Sequence, residues 1–237
     1  MTGMGVDSSF LRSSRARLTD HDLGRFSSER LFDRLARQLC HAGCLPRKEL
    51  FEAWEAARRV RRLFRGGRVV DLGGGHGLLA HVMLLLDDSS PEALVVDTTI
   101  PQSRTRIEDA LTAAWPRLAG RVAYSPLGLE SVDLRPSDIV VSIHACGSLT
   151  DVVLTRAIDA GARVAVLPCC HDLGVNDAGG LSGWLDGPLA VDAVRAIRLK
   201  EAGYQIWTQT IPSAITPKNR LLMGAPSSGE ATRAEAS

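Results

Sequence analysis

The chain has 237 residues, 45% of them hydrophobic and 23% charged, an ordinary composition for one α/β domain with or without a helical extension. No stretch approaches the roughly 18 consecutive apolar residues of a membrane span, and no basic segment followed by an apolar run marks a secretory signal, so we expect no membrane attachment. Five cysteines, an odd number, form a poor disulfide framework, so the composition favours a cytoplasmic protein.

The net charge of +1 hides an asymmetry along the chain. Residues 1–68 contain 15 Lys or Arg against 8 Asp or Glu, whereas residues 69–237 contain 13 against 19. A basic segment joined to an acidic body indicates either a polyanionic partner or a solvated helix face, and the sequence favours neither.

The first 66 residues are predicted to form a basic arm followed by helices. Residues 1–26 are polar and lack periodicity, which predicts a loose or partner-dependent arm. Apolar spacing predicts a helix over 28–40, and Gly43 lies just beyond it, where a C-terminal glycine stop is expected. Pro46 begins a second predicted helix, which ends near Gly66.

Strands and helices alternate over residues 67–225, the predicted catalytic domain. Runs rich in Val, Ile and Leu predict five strands buried on both faces, at 68–72, 93–98, 121–125, 138–144 and 163–167. Helices are predicted at 78–86, 102–114, 149–160 and 189–201, the last after a glycine-rich stretch at 174–187. Two more strands are predicted at 204–211 and 219–223, and the polar tail over 226–237 is predicted to be disordered.

This alternation predicts an α/β fold with a mostly parallel sheet and right-handed crossovers. The last two strands are joined without room for a crossover helix. They should therefore form an antiparallel hairpin at the edge of the sheet.

A glycine-rich turn follows the first predicted strand in the segment Val-Val-Asp-Leu-Gly-Gly-Gly-His-Gly, whose candidate ligand-binding residues are Asp71, Gly73, Gly74, Gly75 and Gly77. Glycine is needed where the backbone turns tightly against a ligand, and the helix that follows directs its positive end at an anion. Leu78 occupies the last glycine position of the dinucleotide-binding pattern, so that pattern fails.

The form V-D-L-G-G-G-x-G, with a C-terminal hairpin, resembles the Rossmann-like S-adenosylmethionine-dependent methyltransferases. The resemblance implies S-adenosylmethionine as cofactor, with its methionyl carboxylate at the helix N-terminus and Asp71 near its cationic side. Asp97, 22 residues after Gly75, can accept hydrogen bonds from both ribose hydroxyls of a nucleoside. The alternative for Asp97 is a simple turn or helix cap before Pro101.

Two further segments, Ile-His-Ala-Cys-Gly-Ser-Leu-Thr-Asp and Val-Leu-Pro-Cys-Cys-His-Asp, end strands at the same edge of the sheet. They supply the candidate catalytic residues His144, Cys146, Cys170 and His171. Either histidine could act as a general base that activates a hydroxyl, and each could instead cap a helix or pack. The cysteines could be nucleophiles or metal ligands.

Both segments resemble motifs of the eukaryotic tRNA acceptor-stem 2′-O-methyltransferases and their methyltransferase-like relatives, over roughly residues 68–172. The resemblance implies methyl transfer to RNA, with a ribose hydroxyl as the acceptor. The zinc-binding elements at the N-terminus of those enzymes are not found. Cys40 and Cys44 could form a metal site only if the fold brought Cys169, Cys170 and His171 to them, and no metal is predicted.

Three observations bear on the acceptor. None of the three lysines, Lys48, Lys200 and Lys218, sits beside the fourth strand, so the lysine-and-acid tetrad of other ribose methyltransferases is not evident. No Asn-Pro-Pro-Tyr-type motif follows that strand, which argues against methylation of base amino groups. The arginine-rich run at 58–65 could bind an RNA backbone or merely face solvent. A small-molecule or protein acceptor, and a scaffold without catalysis, remain the alternatives.

Overall fold

Seven strands form one sheet in the computed structural model, which describes residues 10–227. The strands are β1 (Val69–Leu72), β2 (Ala93–Val96), β3 (Val122–Ser125), β4 (Ile139–Ser142), β5 (Arg163–Val166), β6 (Tyr204–Thr210) and β7 (Arg220–Pro226). The helices are α1 (Leu31–Ala42), α2 (Arg47–Leu63), α3 (Leu78–Leu86), α4 (Arg104–Ala114), α5 (Ser148–Asp159) and α6 (Gly187–Glu201). Short 3₁₀ helices lie at Asp20–Arg25, Pro116–Leu118, Leu129–Ser131 and Leu181–Gly183.

The strand order is β3-β2-β1-β4-β5-β7-β6, with five parallel strands and an antiparallel pair at one edge. β7 runs antiparallel to β5, and β6 runs antiparallel to β7. The predicted mixed α/β sheet with a C-terminal hairpin and N-terminal helices is therefore confirmed. β7 continues to Pro226, past its predicted end, because it pairs with a strand on each side; the tail beyond 227 lies outside the described residues.

Helices cover both faces of the sheet. On one face α3 packs on β1 and β2, α2 packs on α3, and α1 packs on α4. On the other face α5 packs on β4 and β5, and α6 packs on β6 and β7. β1 and β4 are buried at every residue, so their sequences are almost entirely apolar.

The predicted loose arm is wrong for residues 10–26, and residues 1–9 lie outside the described part of the chain. Leu18 and Phe26 are buried, and the ring of Phe10 meets that of Phe26 edge-on at 5.8 Å. Arg17 forms an isolated β-bridge with Pro46 at the start of α2. These few apolar residues have no helical spacing, so the sequence pattern gives no sign of their burial.

The arginine-rich run of α2 is mostly bound within the protein. Arg61 is buried and donates to the carbonyl of Met83 (3.0 Å) and to Ser90 Oγ (2.9 Å). It also forms an ion pair with Asp87 (3.2 Å). Arg58 and Arg59 both pair with Glu55, one turn earlier on the helix. Much of this run therefore has a structural role.

Within residues 10–227, no helix is both long enough and apolar enough to cross a lipid bilayer.

Candidate functional site

A cavity of about 240 Å³ opens at the carboxyl ends of the parallel strands, where ligands bind in open α/β sheets. Its walls come from the glycine loop, the start of α3, the ends of β2 and β4, and α2. The lining residues are Glu49, Ala53, Asp71, Gly73, Gly74, Gly75, His76, Leu78, Leu79, Asp97, Ile143 and His144. The predicted loop and its acidic partner thus share one cavity.

Two positions of the glycine loop have no room for a side chain. A Cβ at Gly74 would lie 2.6 Å from Asp71 Cγ and 2.8 Å from a methyl group of Val95. A Cβ at Gly77 would lie 2.7 Å from the hydroxyl of Tyr124, and its φ of 74° favours glycine. Gly77 does not line the cavity; it ends the turn and begins α3.

Asp71 contributes a buried carboxylate to the cavity wall. It is 1% exposed, and its Oδ2 accepts from the backbone N–H of Ala80 at 3.3 Å. Burial raises the pKa of Asp71 to about 7, although the Ala80 hydrogen bond opposes that shift. No cationic side chain within residues 10–227 pairs with it, so a cationic group of a ligand would supply the missing counter-charge. The site therefore fits a cofactor that carries positive charge.

Asp97 follows the last residue of β2 and faces the glycine loop. Its Oδ2 accepts from the backbone N–H of Gly75 (3.1 Å), and its Oδ1 accepts from that of Thr99 (3.2 Å). The hydrogen bond from Thr99 belongs to a local turn, the alternative role that the sequence offered for Asp97. Asp97 also lines the cavity wall, and its role in binding the ribose stays a prediction.

Helix α2 closes the cavity with residues that the sequence analysis missed. Glu49 and Ala53, one turn apart, line the wall. Burial, and then the nearby Glu52, raises the pKa of Glu49 to about 6. The buried Glu52 pairs with Lys48 at 3.3 Å. The sequence signal that could have indicated a functional face on this helix was Glu52, an acidic residue among the apolar residues that α2 buries.

His144 is the predicted catalytic histidine that the structure places in this cavity. His144 is an exposed residue. The surrounding wall, and then Lys48 and His76, lower the pKa of His144 below its ordinary value. Lys48 is thus close enough to His144 for its charge to oppose protonation of the imidazole, although it is remote from β4 in sequence. The partner of Lys48 is Glu52, so a lysine-and-acid tetrad at the end of β4 is still not evident.

His171, the other candidate base, does not line the cavity. Its side chain is only 1% exposed, and its Nε2 lies 2.7 Å from Asp192 Oδ1 on α6. Nδ1 is buried without a hydrogen-bond partner. His171 is thus a buried residue in hydrogen-bond contact with Asp192 outside the cavity, so we do not propose it as the base.

The predicted cysteines separate into two groups. Cys40 and Cys44 are buried near α1, and Cys44 Sγ faces the carbonyl of Ser103 at 3.7 Å. Cys146 and Cys170 lie with Cys169 outside the cofactor cavity, their three Sγ atoms within 4.8 Å of one another. The fold therefore does not join Cys40 and Cys44 to the other cysteines. Burial raises the pKa of Cys169 far above its ordinary value.

The sheet order, the glycine loop and the acidic residue after β2 define an S-adenosylmethionine-dependent methyltransferase. A family model described as a methyltransferase domain matches residues 54–174, just over half of the chain. The chain belongs to this methyltransferase family, and its cofactor is S-adenosylmethionine.

The chain is also similar to two insect proteins and to solved methyltransferase structures. A glutathione S-transferase C-terminal domain-containing protein homolog of Drosophila melanogaster is 30% identical over 203 residues, 67% of this chain and 33% of that protein. The homolog of Drosophila pseudoobscura pseudoobscura is 30% identical over 128 residues, 37% of this chain and 22% of its own length. The chain thus spans a third or less of these relatives.

Among solved structures, the S-adenosylmethionine-dependent methyltransferase SibL superposes with a TM-score of 0.50 and 18% identity, over 89% of this chain and 66% of SibL. At that identity the likeness establishes the fold alone.

Proposed function

We propose that this chain transfers the methyl group of S-adenosylmethionine to a hydroxyl oxygen of an RNA, with the ribose 2′-hydroxyl as the acceptor and His144 as the general base. One observation carries the proposal: His144 lines the same cavity as the glycine loop and Asp97. A base in the cofactor cavity is positioned to meet an acceptor beside the reactive methyl group.

The bound cofactor supplies an electrophilic methyl group on its sulfonium. Asp97 would accept hydrogen bonds from its ribose hydroxyls, and the buried carboxylate of Asp71 would face its positive charge. The glycine loop and the first turn of α3 would hold its carboxylate. His144 would take the hydroxyl proton as the acceptor oxygen bonds to the methyl carbon and the sulfur–methyl bond breaks, which would leave the neutral sulfide S-adenosylhomocysteine. The lowered pKa of His144 keeps the imidazole neutral and able to accept that proton at pH 7.

The RNA acceptor is supported by the resemblance of residues 142–151 and 166–172 to the tRNA acceptor-stem 2′-O-methyltransferases and by surface charge. Arg12, Arg15 and Arg17 are exposed. Arg17 bridges Pro46 at the start of α2, the helix that supplies Glu49 and Ala53 to the cavity wall. A basic segment therefore adjoins the helix of the cavity wall, where phosphates could bind. The cytoplasm is the compartment that we propose for this reaction.

A small-molecule or protein acceptor is the second candidate. It is favoured by the internal pairing of Arg58, Arg59 and Arg61, which removes most of the arginine-rich run of α2 from a phosphate-binding role. RNA binding separates the two candidates, because cofactor binding is common to both. A scaffold without catalysis would bind cofactor or RNA and methylate no acceptor.

The test is a labelled-methyl transfer assay with tRNA transcripts, after calorimetry has measured the binding of S-adenosylmethionine. We expect incorporation at ribose, detected as an alkali-resistant dinucleotide, and its loss in His144→Ala. His41→Ala is the matched control, since His41 is an exposed histidine on α1 that pairs with Asp20 outside the cavity. Cofactor binding without methylation of any RNA would refute the RNA acceptor and turn the search to small molecules and proteins.

A further inference from the structure

Three cysteine thiols meet where two neighbouring strands end. β4 and β5 are parallel, and their register pairs Ser142 with Val166. Cys146 lies four residues beyond Ser142, and Cys169 and Cys170 lie three and four residues beyond Val166, so the fold brings both loops to one level. Cys146 Sγ is 3.1 Å from Cys169 Sγ, which is 3.8 Å from Cys170 Sγ.

We infer that Cys146, Cys169 and Cys170 bind one zinc ion. Zinc bound tetrahedrally by thiolates at about 2.3 Å sets neighbouring sulfurs about 3.8 Å apart. The Cys169–Cys170 separation of 3.8 Å has that value, the Cys146–Cys169 separation of 3.1 Å would widen slightly around the ion, and all three sulfurs lie within 4.8 Å of one another. Binding would release the thiol protons to solvent, as deprotonation of the ligands requires.

The fourth coordination position is open. Within residues 10–227, no further His, Cys, Asp or Glu belongs to this group, and Cys146 and Cys170 are exposed. Zinc with three protein ligands and one open position holds a water or a substrate atom, whereas structural zinc sites are closed by four protein ligands. The site is therefore built for an exchangeable fourth ligand.

A buried ion-pair network holds both cysteine-bearing loops. Arg195, 1% exposed, donates to the carbonyl of Gly147, the residue after Cys146, at 3.0 Å. Arg195 also pairs with Asp192 (3.4 Å), which contacts His171, the residue after Cys170, at 2.7 Å. Such outer contacts fix the positions of metal ligands.

The thiol cluster adjoins the cofactor loop. A Cβ at Gly73 would lie 3.7 Å from the backbone nitrogen of Ala145, which immediately precedes Cys146. His144 is one residue further back and lines the cavity. The zinc site would thus stand at the edge of the cofactor cavity. The inference does not depend on the identity of the acceptor.

A Cys146–Cys169 disulfide is the competing fate of these sulfurs. A disulfide bond is about 2.05 Å long, so a modest approach of the two atoms would form it in the presence of an oxidant. The third thiol favours the zinc site, because Cys170 can bind a metal ion but takes no part in a Cys146–Cys169 disulfide.

The test measures zinc per chain in protein purified with a reductant and without chelator. We expect one zinc ion per chain, or one after reconstitution and desalting, and thiolate-to-metal charge-transfer absorption when Co²⁺ replaces it. Cys146→Ser and Cys170→Ser should each weaken zinc binding, measured by competition with a chromogenic chelator, by about 100-fold or more, at least the loss caused by a damaged outer shell. Cys44→Ser is the matched control and should bind zinc as the unaltered chain does.

The cobalt spectrum of the unaltered chain keeps the test independent of any variant's folding, and circular dichroism checks each variant. The inference is overturned if the reconstituted chain retains no stoichiometric zinc, or if bound Co²⁺ lacks thiolate charge-transfer absorption. It is equally overturned if Cys44→Ser loses zinc as the other variants do, or if the reduced preparation carries a Cys146–Cys169 disulfide. A failed methylation assay would leave this result unchanged.

Discussion

The Asp97 carboxylate accepts a hydrogen bond from the backbone N–H of Gly75 across 3.1 Å, and this bond ties the end of β2 to the glycine loop. The same carboxylate lines the cofactor cavity. It therefore ties the loop in the free protein to the end of β2, and we propose that it accepts hydrogen bonds from the ribose when the cofactor binds.

Asp97→Ala is expected to weaken S-adenosylmethionine binding by roughly 10- to 100-fold. The reason is that a charged hydrogen-bond acceptor contributes about 1.5–3 kcal/mol. Calorimetric titration with S-adenosylmethionine and S-adenosylhomocysteine measures the effect. Asp109→Asn, on the exposed side of α4, removes the same charge outside the cavity and should leave affinity unchanged. Equal affinity of Asp97→Ala and the unaltered chain would remove Asp97 from the cofactor site.

Gly74→Ala is expected to disrupt the loop. The new methyl group would press on Asp71 Cγ at 2.6 Å and on Val95 at 2.8 Å, and such overpacking costs about 1–3 kcal/mol. Thermal unfolding should show the loss of stability, and calorimetry the loss of cofactor binding. Gly24→Ala meets nothing within 4 Å and serves as the control. Normal cofactor binding by Gly74→Ala would contradict this prediction, because it would show that the loop can accommodate the added methyl group.

Asp71→Asn should stabilise the cofactor-free protein at high pH while weakening cofactor binding. The pKa of Asp71 is raised from 3.8 to about 7, so the folded state holds a proton that the unfolded state releases. Stability from this group is therefore lost as pH rises between those values. At pH 8 the variant should gain about 1–4 kcal/mol in free energy of unfolding, since each pKa unit corresponds to about 1.4 kcal/mol. Urea unfolding at pH 5 and pH 8 measures it, and a gain that does not grow with pH would contradict the assignment.

The pH dependence of methyl transfer should reflect His144. Because its pKa is lowered, the imidazole stays neutral below the ordinary value of about 6.5, and kcat/KM should begin to fall only at a more acidic pH. His144→Asn should lower kcat by about 100- to 10,000-fold, the usual contribution of a general base. A pH profile identical in the variant and the unaltered chain would exclude His144 as the base.

Arg61 and Arg62 are neighbours, but their replacement by alanine is expected to have very different effects on stability. Arg61→Ala leaves Asp87 buried beside a lost partner and should cost about 3–5 kcal/mol of stability. Arg62→Ala, at an exposed position, should change stability by about 0.5 kcal/mol or less. Chemical denaturation measures both, and a stable Arg61→Ala protein would contradict the structural role of this side chain.

The glycine loop and Asp97 could be located from sequence because each follows a short apolar strand, and the geometry of the turn is encoded locally. The mostly parallel sheet and the antiparallel edge hairpin followed from the alternation of elements, whereas the strand order comes from the structure. The roles of Lys48 and Glu49 could not, because they depend on α2 docking over a sheet whose residues come later in the chain.

Only part of the thiol cluster could be predicted from the sequence. The two loops were expected at one edge, yet the convergence of Cys146 with Cys169 depends on the register of β4 with β5 and on the Arg195 network. The burial of His171 likewise comes from Asp192 on α6, an element distant in sequence. Contacts between remote segments are what a single sequence specifies least directly.

Glu49 and Ala53 in the cavity wall bear on how the catalytic unit can be excised. The family model begins at residue 54, in the middle of α2, and a cut there would discard both of these residues together with the first part of the helix. A fragment trimmed to the family boundary would keep residues 54–63 of α2 but leave the cofactor cavity without the part of its wall that Glu49 and Ala53 form. A fragment with a complete cofactor cavity therefore has to start upstream of the family-model match.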